Sequence, residues 1–285
     1  MPRPLLVADT PSLLYRAFFA LPKSIKGSDG KPVNALLGTA NMLLQAVSDY
    51  SPRAVVCCFG AEAATYRTAA FPAYHADRPP MPPELAHQWA LAPRFLAACG
   101  WSCLDAGALE ADDLLGSLAE LESAAGGTTM IFSGDRDMFQ CASKQVTVLY
   151  PARGGPQLIG PAEVRERTGV GPQQIADLIA LRGDPSDGIP GAKGIGEKGA
   201  AQLLEQHGSL EEVLRAAEDP ASSITPRMRA ALTDNPDLLR SFKEIATLQP
   251  IKLRRPKDAG LDLSKGSAAA RELGMNRLAE RLGKA

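Results

Sequence analysis

Eight carboxylates stand in this 285-residue chain where side chains commonly meet ligands. Asp9 ends the apolar run LLVAD, and Glu110, Asp112 and Asp113 crowd the stretch LEADD. Asp135 and Asp137 follow a second apolar run in SGDRD, and Asp184 and Asp187 precede a glycine-rich stretch, GDPSDGIPGAKGIGEKG. Singly, each has a plain explanation: acids in a first helical turn offset the macrodipole, and acids after strands cap helices or make turns. Packed together, they would repel and raise one another's pKa unless cations neutralised them. All-oxygen ligands favour Mg²⁺ or Mn²⁺ over zinc. Two such ions roughly 4 Å apart can activate a water and stabilise the leaving oxygen of a phosphodiester.

The elements that would bring these acids together are legible as periodicity. Leu5–Ala8, Ala54–Phe59 and Thr128–Phe132 are apolar runs that read as buried strands. Helical spacing appears at Leu36–Val47, from Pro83 to about Cys99, and over 110–123, where Leu114, Leu115, Leu118 and Leu121 share one face. Strands alternating with helices predict an α/β unit with a mainly parallel sheet covered on both faces. Strand C-termini gather at one edge of such a sheet, where ligands bind, and Asp9 and the SGDRD acids fall there. Beyond about residue 160 the strand signals fade into helices punctuated by glycine and proline.

GIGEKG (194–199) spells the G-x-G-x-x-G fingerprint, but DGIPGAK precedes it where a dinucleotide site needs a strand. No Walker motif is present either, because Glu197 stands where its lysine belongs. A better reading is two helices, Pro172–Arg182 and Lys198–His207, joined by a tight turn. Gly191, Gly194 and Gly196 permit close backbone approach, Lys193 and Lys198 add positive charge, and the second helix opens with free amides. Such a helix–hairpin–helix grips a nucleic-acid backbone without reading bases. The bland alternative is a simple helix–helix connection.

Composition narrows the setting. Formal net charge is −1, from 31 basic and 32 acidic residues, so bulk charge neither supports nor excludes a nucleic-acid partner. Distribution matters more: Pro226–Lys257 carries eight Lys/Arg against three Asp/Glu. The five cysteines (57, 58, 99, 103 and 141) form no CxxC pair, which argues against zinc and for buried thiols in a reducing compartment. The N-terminal MPRPLLVADT reads as no signal peptide, and no apolar run reaches membrane-spanning length. A monomer in the cytoplasm, with no membrane partner, is the expectation.

The segments LLVADTPSLLYRAF, TYRTAAFPAYHADRPPMPPEL, LEADDLLGSLA, FSGDRDMFQ and LRGDPSDGIPGAKGIGEKGAAQLL follow one another in this order. Together they resemble the 5′-nuclease family, which includes the N-terminal nuclease domain of bacterial DNA polymerase I, phage 5′-exonucleases and the flap endonucleases. The resemblance implies a PIN-like α/β nuclease domain over residues 1–165 with a helical arch at about 61–100. A helical DNA-binding domain would cover 166–285, with its helix–hairpin–helix at about 172–207. It further implies divalent-metal hydrolysis of DNA at a 5′ end, flap or junction, in replication or repair, with a monovalent cation such as K⁺ at the hairpin. Carried over by motif position, Asp9, Glu110, Asp112 and Asp135 resemble core metal ligands. Asp113, Asp137, Asp184 and Asp187 resemble ligands of a second ion or its outer shell. Arg16 resembles a basic group near the substrate, as does Arg78 in the arch. Arg67 and Arg78 would clamp phosphate there, and Tyr74 would stack on an unpaired base or belong to the core.

Two positions depart from the family. Gly60 follows the second strand where the family has an acid, leaving Glu62 as the candidate replacement; Gly60→Asp is expected to raise activity or metal affinity. His75 stands where the arch has a lysine, and a neutral imidazole brings less positive charge to a phosphate. These departures motivate a second reading, a DNA-junction-binding protein with weakened catalysis. A third, a PIN-fold ribonuclease, has no use for the hairpin.

Overall fold

Short runs of branched and aliphatic residues build the sheet at the centre of the molecule. The computed structural model describes residues 3–284; Met1 and Pro2, at the start of the segment read as lacking a leader, and Ala285 lie outside the described residues. The first part of the chain runs β1 (Leu5–Asp9), α1 (Thr10–Ala20), α2 (Asn34–Tyr50), β2 (Ala54–Phe59), α3 (Thr65–Ala70), α4 (Pro83–Ala98), β3 (Ser102–Asp105), α5 (Ala111–Ala124), β4 (Thr129–Phe132), β5 (Val146–Tyr150) and β6 (Gln157–Ile159). Helices follow: α6 (Pro161–Thr168), α7 (Ile175–Arg182), α8 (Glu197–His207), α9 (Leu210–Glu218), α10 (Pro226–Asp234), α11 (Pro236–Ala246), α12 (Leu263–Glu272) and α13 (Asn276–Lys284). No described helix is long and apolar enough to cross a membrane.

The six strands lie in the order β3-β2-β1-β4-β5-β6. All neighbours are parallel except the β5–β6 pair. Successive residues of β1 serve opposite layers: Leu5 and Val7 pack toward α5, and Leu6 and Ala8 toward α1, α2 and α4. Both faces are therefore covered, as parallel pairing demands. From β1 the strand order runs outward in both directions, so the crevice between β1 and β4 is a topological switch point. Asp9 and the segment after β4 open onto it.

Three of the strands answer to the apolar runs in the sequence; β3, β5 and β6 add to them. The first turn of the expected Pro172–Arg182 helix is a 3₁₀ turn at Pro172–Gln174. The following hairpin turns on real backbone constraints. Gly191 has φ +67°, and a Cβ there would lie 2.2 Å from the Gly183 nitrogen. Over 61–100, α3 is a single short turn-and-a-half, and residues 71–82 run through turns without a helix before α4 begins.

The C-terminal part returns to the first layer. Beyond α11 the chain runs without regular structure to Asp262, and it is pinned along α5 as it goes. Gln249 N donates to Asp113 Oδ1 at 2.8 Å, and Ile251 N to Ser117 Oγ at 2.8 Å. Glu122 accepts from both Arg53 and Arg255. Helices α12 and α13 then pack Ala270, Met275, Leu278 and Leu282 into the core shared with α1, α2 and α4.

The turn after β2 decides one expectation. A Cβ on Gly60 would lie 2.6 Å from Ala111 N, 2.7 Å from Glu110 C and 2.7 Å from Leu109 O, all backbone atoms. Ala61 N donates to Leu109 O at 2.9 Å, locking that approach. The expected gain from Gly60→Asp is thus incompatible with the packing, because no side chain fits without moving the start of α5. Gly60→Asp should instead destabilise the fold by about 1–3 kcal/mol, lowering the melting midpoint by roughly 3–10 °C. Thermal unfolding of the variant checks this, and an unchanged midpoint with improved metal affinity would restore the original expectation.

Candidate active site

Local backbone features position the acids at and around the crevice. Asp9 caps α1: its Oδ1 accepts from Ser12 N at 3.0 Å, and its Oδ2 accepts from Ser133 Oγ at 2.5 Å. That same Ser133 oxygen accepts from Asp135 N at 3.0 Å, so one hydroxyl ties the end of β1 to the loop after β4. Asp135 Oδ1 in turn accepts from Asp137 N at 2.8 Å. Glu110 is the cap residue of α5. Asp184 and Asp187 sit in a tight turn closed by Asp184 N to Ile189 O at 2.7 Å and Ile189 N to Asp184 O at 2.8 Å.

Asp9, Glu110, Asp112, Asp135 and Asp187 line one pocket of about 370 Å³, together with Tyr15, Trp89, His75 and Arg78. Glu62 and Gly60 are also on its wall. Burial, and after it mutual repulsion, raises several carboxyls in and beside this pocket. Burial pushes Asp112 well above the ordinary carboxylate range, and the charges of Asp9 and Asp135 push it further. Burial, followed by the charges of Asp187, Asp9 and Asp184, takes Asp135 up to about 6 against a hydrogen bond from Asp137. Asp137 is raised by burial and then by Asp135, Asp187 and Asp184. Asp9 is raised by burial despite its two serine-derived hydrogen bonds.

Two of the eight acids do not line this pocket but lie close enough for charge to be felt: Asp137, and Asp184, whose Oδ1 is held by Ser186. Asp113 is different. It is fully buried; its Oδ2 accepts from Glu110 N at 3.1 Å, and its Oδ1 accepts from Arg67 Nη2 at 3.1 Å and Gln249 N. Every oxygen faces a protein donor, so Asp113 closes the first turn of α5 instead of facing the pocket.

Arg67 departs from the phosphate-clamping expectation, and Tyr74 takes the core alternative. Arg67 is 3% exposed and pairs with Glu110 and Asp113. Tyr74 is 4% exposed and donates its hydroxyl to Glu110 Oε2 at 3.1 Å. A guanidinium neutralised by two buried carboxylates presents no charge to a phosphate, and a buried ring presents no face to a base. Both residues hold Glu110 in position, where Ala64 N also donates to Oε1 at 2.7 Å. Arg16 points elsewhere, its guanidinium donating to Pro151 O at 3.0 Å.

His75 and Arg78 converge on Asp187. His75 adopts φ +56°, rare for a side-chain-bearing residue, and its ring stacks on Tyr74 at 3.8 Å between centroids. Its Nδ1 faces Glu62 O at 2.7 Å and its Nε2 faces Asp187 Oδ1 at 3.1 Å. Both ring nitrogens thus face oxygen atoms of neighbouring residues. Arg78 Nη2 donates to the same Asp187 oxygen at 3.0 Å. Burial raises Asp187, but the His75 hydrogen bond and the charges of His75 and Arg78 outweigh it and hold the carboxyl below the usual range.

Among the described residues, no three His, Cys, Asp or Glu side chains have the spacing of a formed metal site. Three of the pocket carboxylates turn to protein donors: Asp9 to Ser133, Glu110 to Arg67 and Tyr74, Asp187 to His75 and Arg78. The donor chemistry still fits a hard cation, because the set is all oxygen and is driven toward protonation by crowding that a dication would relieve.

At the hairpin, Lys193 and Lys198 are exposed, and Gly196 caps α8 in extended backbone with open space where a Cβ would be. The sequence reading missed Arg227, whose guanidinium lies over Gly194, 3.1 Å from where a Cβ would sit. The basic tract at 226–257 was its only signal. Half of that tract's basic residues are used internally: Arg229 by carbonyls at the end of α9, Arg240 by Glu211, Lys243 by Asp177 and Arg255 by Glu122.

A family described as 5′-3′ exonuclease, N-terminal resolvase-like domain, matches residues 4–169, and one described as 5′-3′ exonuclease, C-terminal SAM fold, matches 170–258. A 5′-3′ exonuclease of Streptomyces coelicolor is 37% identical over 245 residues, 80% of this chain and 80% of its own. Thermostable DNA polymerase I of Thermus thermophilus is 37% identical over 278 residues, 97% of this chain and 32% of its own. The chain thus spans about a third of the length of the DNA polymerase I relatives it matches. Among solved structures, the T5 D15 protein co-crystallised with metal ions superposes with a TM-score of 0.71 at 17% identity, covering 99% of this chain and 97% of that one. The catalytic core of Rad2 with DNA substrate gives 0.62 at 12%, covering 98% and 90%. At such identities the structures speak for the fold alone. With family matches running from residue 4 to 258 and a relative of comparable length at 37% identity, the chain belongs to the 5′-3′ exonuclease family.

Proposed function

We propose that this protein hydrolyses DNA phosphodiesters near a 5′ end, flap or junction, using two divalent cations, Mg²⁺ or Mn²⁺. The observation that carries the reading is the single pocket lined by Asp9, Glu110, Asp112, Asp135 and Asp187. Asp9, Glu110, Asp112 and Asp135 are the residues we assign to the cations, with Asp137, Asp184 and Asp187 as the second group. When bound, the cations supply an activated water and charge stabilisation at the leaving oxygen. The protein's own part is to aim these carboxylates, through Ser133 at Asp9 and Asp135, and through Arg67 and Tyr74 at Glu110. Arg78, on the pocket wall, is suited to meet the phosphate once Asp187 is otherwise engaged.

Support also comes from the neighbours. The T5 protein was crystallised with metal ions, and Rad2 with DNA. Duplex would lie on the hairpin, against Gly191, Gly194, Gly196, Lys193, Lys198 and Arg227, with K⁺ as the monovalent ion there. We place the protein in replication or repair, as a cytoplasmic monomer.

A second reading, a DNA-junction-binding protein of weakened catalysis, draws on Gly60, where packing excludes a carboxylate, and on Asp187, which His75 and Arg78 already occupy. Cleavage of a labelled 5′-flap duplex with and without Mg²⁺ separates the two. Strand scission that requires the metal supports the nuclease; tight binding without scission in either Mg²⁺ or Mn²⁺ supports the binder.

Asp135→Asn should abolish cleavage while leaving flap affinity within about threefold, by the general separation of catalytic from binding contacts; undiminished turnover would remove Asp135 from the metal group. The pocket's titration gives a further expectation. Asp135 has a folded-state pKa above its ordinary value, so the stability tied to its protonation is present below about pH 4 and lost as pH rises through about 6. A dication that binds the ionised acids restores it. The rise in melting temperature on adding Mg²⁺ should therefore be larger at neutral pH than near pH 5, about the middle of that window. Equal rises at both would place the cation elsewhere.

A further inference from the structure

We propose that Arg136 and Arg182 form a phosphate-binding subsite for the DNA backbone, between the carboxylate pocket and the glycine hairpin. This inference rests on the nuclease reading and adds to it a contact outside the metal-binding acids. A second cavity, of about 460 Å³, is lined by Arg136, Arg182, Asp184 and Glu197 with a few small neighbours. It adjoins the acids on one side, since Arg136 stands between Asp135 and Asp137, and Arg182 precedes Gly183-Asp184. On the other side it meets the hairpin, since Glu197 is the first residue of α8 and Lys198 the second.

The guanidinium groups in this cavity are only partly used. Arg136 Nη2 meets Glu197 Oε1 at 3.1 Å, Arg182 Nη1 meets the same oxygen at 3.5 Å, and Arg182 Nη2 meets Asp184 Oδ2 at 3.5 Å. One carboxylate oxygen is thus shared between two arginines, and neither forms a two-pronged pair. Arg182 Nε is buried and finds no acceptor among the described residues. A buried donor left without an acceptor is costly, and a guanidinium presents five donors in a fork that matches phosphate oxygens.

The lining also selects the class of ligand. It contains no aromatic or large apolar side chain on which a base could stack, so the cavity suits backbone recognition. A strand passing from the hairpin to the carboxylate pocket crosses it. Glu197 is 42% exposed and sits at a helix start, so it can swing aside as phosphate arrives. The ligand is accordingly a phosphodiester of the bound strand, held without regard to sequence.

The test is equilibrium binding of a labelled 5′-flap duplex in EDTA, followed by fluorescence anisotropy over a potassium chloride series. Arg136→Gln and Arg182→Gln should each weaken binding several-fold and reduce the slope of log K against log[salt] by about 1, and the double variant by about 2. Arg182→Lys should keep the slope yet bind less tightly, because it retains charge and loses the fork. Arg136 is 41% exposed, so Arg136→Gln remains informative if Arg182→Gln melts early. Wild-type affinity and slope in Arg136→Gln and in the double variant, with the parent binding and cutting DNA, would overturn the subsite alone. A parent chain that neither binds nor cuts flap DNA would overturn both the subsite and the nuclease reading.

Discussion

Like charges resist being gathered, and this fold gathers them at the edge of a parallel sheet where burial makes the resistance worse. Burial lifts Asp9, Asp112, Asp135 and Asp137 above their ordinary protonation range, and neighbouring acids lift the last three further. The surrounding structure is arranged around that cost. Ser133 donates its hydroxyl to the Asp9 carboxylate while accepting from the Asp135 backbone, Arg67 is sunk between Glu110 and Asp113, and His75 with Arg78 takes Asp187. Buried charges need partners, and here the partners come from segments distant in sequence. Cohesion between those segments and order in the acidic pocket are thus a single property.

The same logic joins the two halves of the chain. The irregular stretch after α11 bonds to Asp113 and Ser117 on α5 and delivers Arg255 to Glu122, which Arg53 already holds. Glu110 caps α5 and Asp112 lies in its first turn, so this stretch is bonded to the element that carries pocket acids. The helical half contributes more than a hairpin: it braces the element that carries three of the eight acids.

Much of the sheet was readable because β1, β2 and β4 are unbroken apolar runs, the mark of strands buried on both faces. β3 (SCLD) and β6 (QLI) are short and partly exposed, so they lack that mark. β5 (VTVLY) carries a branched, alternating pattern that a closer count of period-2 positions finds. In the site, the set of acids was legible from residue type and position, but their division of labour was not. The three-residue spacing of Glu110 and Asp113 is that of a capping pair, a signal for Asp113 that the metal reading overrode. Nothing local distinguishes a phosphate-clamping arginine from a buried one, so Arg67 could be placed only by contacts 43 and more residues away along the chain. Ser133, Arg136 and Arg182 were passed over because they flank the acids and lack an obvious chemistry of their own.

Gly60 has a reach that its size conceals. The peptide it presses against joins Glu110 to Ala111, one residue short of Asp112. A carboxylate regained at the tip of β2 would shove that peptide outward and take two others with it. In this chain, a side chain at the tip of β2 and the backbone at the start of α5 would therefore compete for one volume, so an acid at residue 60 requires both elements to shift together.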